Sequence, residues 1–204
     1  DKAEALSKIA SELAKAGQTQ QALQIFNKAV NAAGSISDDF LKASALNFIA
    51  KELAKAGQTQ KALLIFDKAV NAAGSISDDD NKAWALKDIA VELAKTGQTQ
   101  QALQIFDKAV SVAGSISDDS DKALTLDVIA SELAKAGQFD KALNVAGSIY
   151  GDYKKAWALR NIVVELAKAG QFDDAVNVIG SISDDLYKAW ALRDIALELA
   201  KAGQ

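Results

Sequence analysis

The chain has 204 residues, half of them hydrophobic, with no His, Cys, Met or Pro and a formal net charge of −4. Without cysteine, disulfides and thiolate metal sites are excluded, and an acidic balance argues against nucleic acid, whose phosphates need a dense basic surface. No apolar run approaches the roughly 18 residues of a bilayer span, and no signal-peptide pattern opens the chain, so a cytoplasmic protein with no membrane partner is expected.

A Lys-Ala dipeptide returns at Lys2, Lys42, Lys82, Lys122, Lys155 and Lys188, giving three spacings of 40 residues and then two of 33. The seven missing residues amount to almost two helical turns, and their loss rotates the rest of a helix by only about 20°. That tolerance predicts α-helix where the shortening occurs. In the unit from Lys42, Leu46, Ile49, Ala50, Leu53 and Ala54 form the apolar stripe of an amphipathic helix. This helix A is predicted over about 38 to 56, with Ser37 as N-cap, Asp38 and Asp39 in the first turn, and Lys55 ahead of Gly57 at its end. Helix B starts near Thr59, with Ala62, Leu63, Phe66, Ala69 and Val70 on one stripe.

Gly74 lies inside the helix-B pattern and returns as Gly34, Gly114, Gly147 and Gly180. Because a mid-helix glycine costs about 0.5–1 kcal/mol relative to alanine, close approach of the next helix A is the favoured reason, with an early end of helix B as the alternative. The units from Lys122 and Lys155 are the short ones. There the helix-B aromatic gives way to Ala146 or Ile179, and Phe139 and Phe172 stand at the inter-helix turn. A lone helix A, Leu186 to Lys201, closes the array, with Arg193, Asp194, Glu198 and Lys201 giving it a side that faces water.

One helix pair cannot bury both of its faces, so stacking must supply the core. The expected architecture is all-α: five antiparallel helix pairs plus a capping helix, in one domain over 1–204. Long units occupy 1–117, transitional and short units 118–183, and the capping helix 184–204. The near-identity of residues 13–23 and 53–63, which differ only at Gln21 against Lys61, points to recent duplication or deliberate consensus design.

Written from Leu46, the series Leu46, Ile49, Ala50, Leu53, Gly57, Ala62, Phe66, Ala69 resembles the tetratricopeptide repeat, and the 40-residue length resembles its long-helix subclass found in kinesin light chains. The resemblance implies a right-handed superhelical solenoid with a concave groove, lined by helix A, that receives a peptide. The family's proline after helix B is absent, with Gly74 in its place. A fainter likeness to pentatricopeptide repeats would imply RNA, against which the charge and the missing proline speak.

Positions that vary among the six copies of helix A fall at offsets 0, 3, 4 and 7, along one side of the helix. They include Asn47, Phe48 and Lys51 in the second copy; Trp84, Lys87 and Asp88 in the third; and Leu124 and Asp127 in the fourth. The last two copies contribute Trp157, Arg160 and Asn161, then Trp190, Arg193 and Asp194. Aromatics beside arginine dominate interface energetics, so these residues are the candidate peptide-binding stripe. The rival reading packs each tryptophan against the preceding helix B as ordinary core. Lys95, Lys135, Lys168 and Lys201 lie further along, and an apolar or amphipathic peptide bearing acidic residues would suit such a stripe. A carboxylate clamp of lysine and asparagine is not matched, since the first copy presents Ser7 and Ser11.

No catalytic apparatus is expected. Without His or Cys only carboxylates, lysines and hydroxyls remain, and the paired aspartates Asp38/Asp39, Asp78/Asp79, Asp118/Asp119 and Asp184/Asp185 recur where helix capping explains them. No metal or cofactor is implied. The function expected is a non-catalytic protein- or peptide-binding scaffold; the alternatives are a structural or engineered spacer, or a module that associates head to tail through Asp1-Lys2 and Ala202-Gly203-Gln204.

Overall fold

The computed structural model describes residues 2–202; Asp1, Gly203 and Gln204, on which the head-to-tail reading depends, lie outside the described residues. Among the described residues there are eleven helices and no strand. The A helices are α1 (Lys2–Lys15), α3 (Asp39–Lys55), α5 (Asp79–Lys95), α7 (Asp119–Lys135), α9 (Asp152–Lys168) and α11 (Asp185–Ala202). The B helices are α2 (Thr19–Gly34), α4 (Thr59–Ser75), α6 (Thr99–Ser115), α8 (Phe139–Gly147) and α10 (Phe172–Gly180). The chain divides into two compact units, Asp1–Ala109 and Val110–Gln204.

Within each unit the A helices form a spine: α1 packs on α3 and α3 on α5 in unit 1, and α7 packs on α9 and α9 on α11 in unit 2. Helices α2, α4, α8 and α10 each lie against their own A helix and the next one, as α4 does against α3 and α5 and α8 against α7 and α9. Alanines at the spine, such as Ala43, Ala50, Ala123 and Ala130, are buried beside Ile49 and Ile129. Small residues let the backbones approach, and the isoleucines fill what remains. The side chain of Phe66 is fully buried from the B layer, as is its counterpart Phe26.

Helix ends agree with the sequence reading, with one correction. The N-cap of α3 is Asp38, not Ser37: its Oδ1 accepts from the Leu41 backbone N–H at 2.8 Å. Asp78 caps α5 in the same way, and Asp118 accepts from both Ser120 and Asp121. A carboxylate both bonds the orphan amides and complements the helix dipole, which a serine hydroxyl one residue earlier cannot reach to do. At the other end Gly57 adopts φ +72°, with its N–H on Ala54 O and the Gln58 N–H on Leu53 O, both at 2.9 Å. That pairing is a Schellman motif.

Close packing does not explain the second glycine. A Cβ built at Gly74, or at its counterparts Gly34, Gly114, Gly147 and Gly180, meets nothing within 4 Å. These glycines lie at or next to the last residue of α2, α4, α6, α8 and α10. The alternative of a helix end therefore holds, and there a low propensity costs little because few helical hydrogen bonds lie beyond it.

The short repeats lose their residues from helix B, while the link to the next helix A lengthens from residues 76–78 to residues 148–151 and 181–184. Helices α3, α5, α7 and α9 all have 17 residues, whereas α4 has 17 and α8 and α10 have nine. The isoleucine that leads into the next helix A stays buried in both classes, as Ile76 and as Ile149 and Ile182. In α11, Tyr187, Ala191 and Ile195 are buried, while Leu186, Leu192 and Leu197 are exposed beside the expected charged residues.

Two glycine substitutions separate these roles. Gly57→Ala forces a Cβ into the left-handed region and is expected to destabilise by about 1 kcal/mol, whereas Gly74→Ala adds helix propensity in open space and should stabilise by roughly 0.5–1 kcal/mol. Urea unfolding monitored by circular dichroism measures both; equal effects of the same sign would contradict the assignment.

Candidate functional site

The variable side of helix A is where adjacent A helices meet, so several of the candidate residues are partly engaged inside the protein. In unit 1 the Lys8 ammonium lies 5.8 Å from the Phe48 ring centroid, and Lys51 on α3 reaches Glu92 on α5 at 3.2 Å. Lys87 is only 8% exposed; its Nζ sits 4.4 Å over the Trp84 ring and pairs with Asp88. The Asn47 Oδ1 is buried without a hydrogen-bond partner. Nearby, burial pushes the Glu52 carboxyl up, but hydrogen bonds from Lys55 and Ser11 and the lysine charges outweigh it, leaving Glu52 below the ordinary carboxylate range.

Unit 2 gathers the aromatics. The Tyr187 ring, on α11, packs edge-on against Tyr153 at 5.5 Å, Trp157 at 6.0 Å and Trp190 at 5.1 Å between centroids. Edge-to-face contacts of this kind add about 0.5–1.5 kcal/mol each beyond burial. A hydrogen bond with Tyr153, then burial and the nearby Asp184 charge, push the Tyr187 phenol up to about 12. Arg160 lies between two tryptophans, 5.5 Å from the Trp157 centroid and 5.8 Å from that of Trp190, and its Nη2 donates to Asp194 at 2.5 Å. Arg193 donates to the same carboxylate at 2.9 Å. Burial alone would raise Asp194, but the two arginines hold it below its usual range.

Asp127 behaves in the opposite way. It stands on α7 facing α9, accepts from the Asn161 amide at 3.3 Å and from the Trp157 side chain, and burial nonetheless pushes its carboxyl up. Beside it a groove of about 220 Å³ opens between α7 and α9, lined by Leu124, Asp127, Tyr153, Lys154 and Trp157 among others. Leu124, Tyr153 and Trp157 are 56%, 63% and 40% exposed. Trp84 and Trp190 are half-buried. Trp157 thus does not sit in a closed core.

The structure brings Leu124, Asp127 and Trp157 to one groove, with Asn161 bonded to Asp127, and Arg160, Trp190, Arg193 and Asp194 to one cluster. Asn47, Phe48, Lys51, Trp84, Lys87 and Asp88 belong to unit 1. Lys95, Lys135, Lys168 and Lys201 each pair with the glutamate three residues earlier, at 2.7–3.0 Å, so their charge is largely spent locally. Sequence reasoning missed Tyr153 and Tyr187. The signal was present, since Tyr153 precedes Trp157 by four residues and Tyr187 precedes Trp190 by three, which places each pair on one helix face. Among the described residues no group of three or more His, Cys, Asp or Glu is placed to hold a metal, and no helix is long and apolar enough to cross a membrane.

The two aspartates should respond oppositely to substitution. The folded Asp194 sits below its unfolded value of 3.8, so its stabilisation is present above that pH and lost as pH falls through the lower folded value. Asp127 sits above 3.8, so its ionisation opposes folding at neutral pH and the penalty fades as pH falls toward 3.8. Asp194→Asn should cost about 1–3 kcal/mol at pH 7, and Asp127→Asn should be neutral or stabilising there. Denaturant melts of both variants at pH 7 and pH 3 check the signs.

Residues 43–115 match the family model described as Tetratricopeptide repeat. Among solved structures, the nearly identical TPR-like repeats of a Podosopora anserina protein named as a kinesin light chain align over the whole chain and 98% of their own length, with 13% identity and a TM-score of 0.52. A second structure of those repeats gives 14% identity, 97% and 95% coverage and a TM-score of 0.51. Ton1535 from Thermococcus onnurineus NA1 aligns over 95% of this chain and 78% of its own, at 22% identity and a TM-score of 0.49. No curated protein matches the sequence. Tetratricopeptide repeats generally mediate protein–protein interaction and are typically non-catalytic scaffolds. Residues 43–115 are thus similar to the tetratricopeptide repeat, and the whole chain shares the helical-repeat fold of the TPR-like structures it aligns with.

Proposed function

We propose that the chain is a non-catalytic scaffold that binds a protein or peptide along the exposed side of its A helices. In unit 2 the contact is made by Leu124, Asp127, Trp157 and Asn161 at the groove and by Arg160, Trp190, Arg193 and Asp194 beside it. In unit 1 the corresponding face carries Asn47, Phe48, Lys51, Trp84, Lys87 and Asp88. A cysteine-free chain suits the cytoplasm as the place of that contact.

One observation carries this reading: three large side chains, Leu124, Tyr153 and Trp157, remain exposed around a single groove. Full burial of such a side chain is worth about 1.5–3 kcal/mol, so an apolar rim of this kind gains from a partner that covers it. Arg160 and Asp194 neutralise each other beneath the rim and fix the Trp157 and Trp190 rings in place. The groove is thereby held rigid, which lowers the entropy cost of binding.

A random dodecapeptide library displayed on phage should yield binders whose titration shifts the tryptophan emission. Trp157→Ala should weaken those binders at least ~10-fold, as expected for an aromatic hot spot, with an unchanged far-ultraviolet circular dichroism spectrum. Failure to select any peptide, or equal binding by the variant, contradicts the proposal and favours a ligand-free spacer.

A further inference from the structure

We infer that the groove between α7 and α9 receives a lysine side chain of the partner peptide, its alkyl stem lying along Leu124, Tyr153 and Trp157 and its ammonium resting on Asp127. This rests on the peptide-binding reading and gives it a chemistry. The groove is mostly apolar at its rim and carries one carboxylate, Asp127, and one ammonium, Lys154, in its wall. Such a profile fits a side chain with a hydrocarbon stem and a charged tip.

Charge complementarity selects the cation. No basic group near the groove acts on Asp127: Lys154 lines the same groove, but its ammonium donates to Ser120 Oγ at 3.0 Å and acts on Asp118, while Arg160 and Arg193 share Asp194. Among the described residues no ion pair reaches Asp127, whose donors are the neutral Asn161 amide and the Trp157 side chain. A half-buried carboxylate with only neutral donors is under-compensated, and an incoming cation offsets the desolvation it already bears. Burial pushes the Asp127 carboxyl up, in keeping with that deficit.

With the Asn161 amide on Oδ1 and the Trp157 side chain also donating to the Asp127 carboxylate, less of it is open to the bidentate fork of a guanidinium than to a single ammonium. The aromatic rings of Trp157 and Tyr153 at the rim add attraction for a cation passing over them. The inference reverses the charge that the arginines alone would recommend, because both arginines are occupied by Asp194.

The test uses the intact chain and the phage-displayed dodecapeptide library. Binders selected on the native protein should be enriched in lysine, and replacing that lysine by norleucine in a synthetic copy should weaken binding roughly 10-fold or more. On Asp127→Asn the same replacement should change affinity by less than about 2-fold, since the neutral amide removes the charge but keeps the shape. The peptide-side substitution reads the contact without altering the protein's fold. Binders without lysine, or a norleucine penalty of equal size on both proteins, overturn this inference while leaving the peptide-binding reading intact. No binders at all overturn both.

Discussion

Everything in this protein depends on how one A helix is laid against the next. Four polar bridges between adjacent A helices share one rule: each joins a residue to one in the following repeat, displaced by one position more than the repeat length. Lys51 and Glu92 are 41 residues apart across a 40-residue repeat. Asp127 and Asn161, Arg160 and Asp194, and Ser120 and Lys154 are each 34 apart across 33-residue repeats. The A helices therefore keep the same one-residue stagger in both units, whatever the repeat length. Helix B, down from 17 residues in α4 to nine in α8 and α10, absorbs the difference.

That division of labour has an energetic logic. The A-helix spine buries alanines and isoleucines on faces no other element could cover, so its register cannot shift without opening cavities. Helix B closes over one side of the spine, and a shorter helix closes over less of it. Loss of a Phe66-like side chain from the short repeats removes apolar burial, and the aromatic cluster of Tyr153, Trp157, Tyr187 and Trp190 appears on the opposite, A-helix side of the same repeats. Ring packing and the Arg160–Asp194 pair add cohesion where helix B has given some up. The same cluster leaves Trp157 and Tyr153 partly open, so the reinforcement also builds the groove.

Much of this was legible in the sequence. The 3.6-residue apolar stripe and the Ala-Gly-Gln turn place helix A of the Lys42 unit, the start of its helix B and the closing helix to within a residue or two. Two local details were not. Ser37 and Asp38 are both good caps, and only the backbone geometry decides between them. Gly74 has the same composition signal whether it admits a neighbour or ends a helix. The site was half legible: Trp157, Arg160, Asn161 and Asp194 lie on one face by their spacing, but their partners are 34 residues away. Which carboxylate takes which cation is set by the stagger between helices, which no single-helix pattern encodes. Hence the arginines beside the tryptophans prove to share Asp194, while Asp127, unremarkable as one variable position among several, meets no ion pair among the described residues.

The shared stagger is open to direct measurement, since a chain without cysteine accepts pairs of them cleanly. Lys51→Cys with Glu92→Cys, and Asp127→Cys with Asn161→Cys, would be treated with a short bifunctional thiol reagent and compared with the pairs Lys51→Cys with Val91→Cys and Asp127→Cys with Arg160→Cys. The account predicts faster cross-linking of the first two pairs in long and short repeats alike. Faster reaction of the equal-register pairs in either class would show that shortening helix B has moved the spine, and would contradict it.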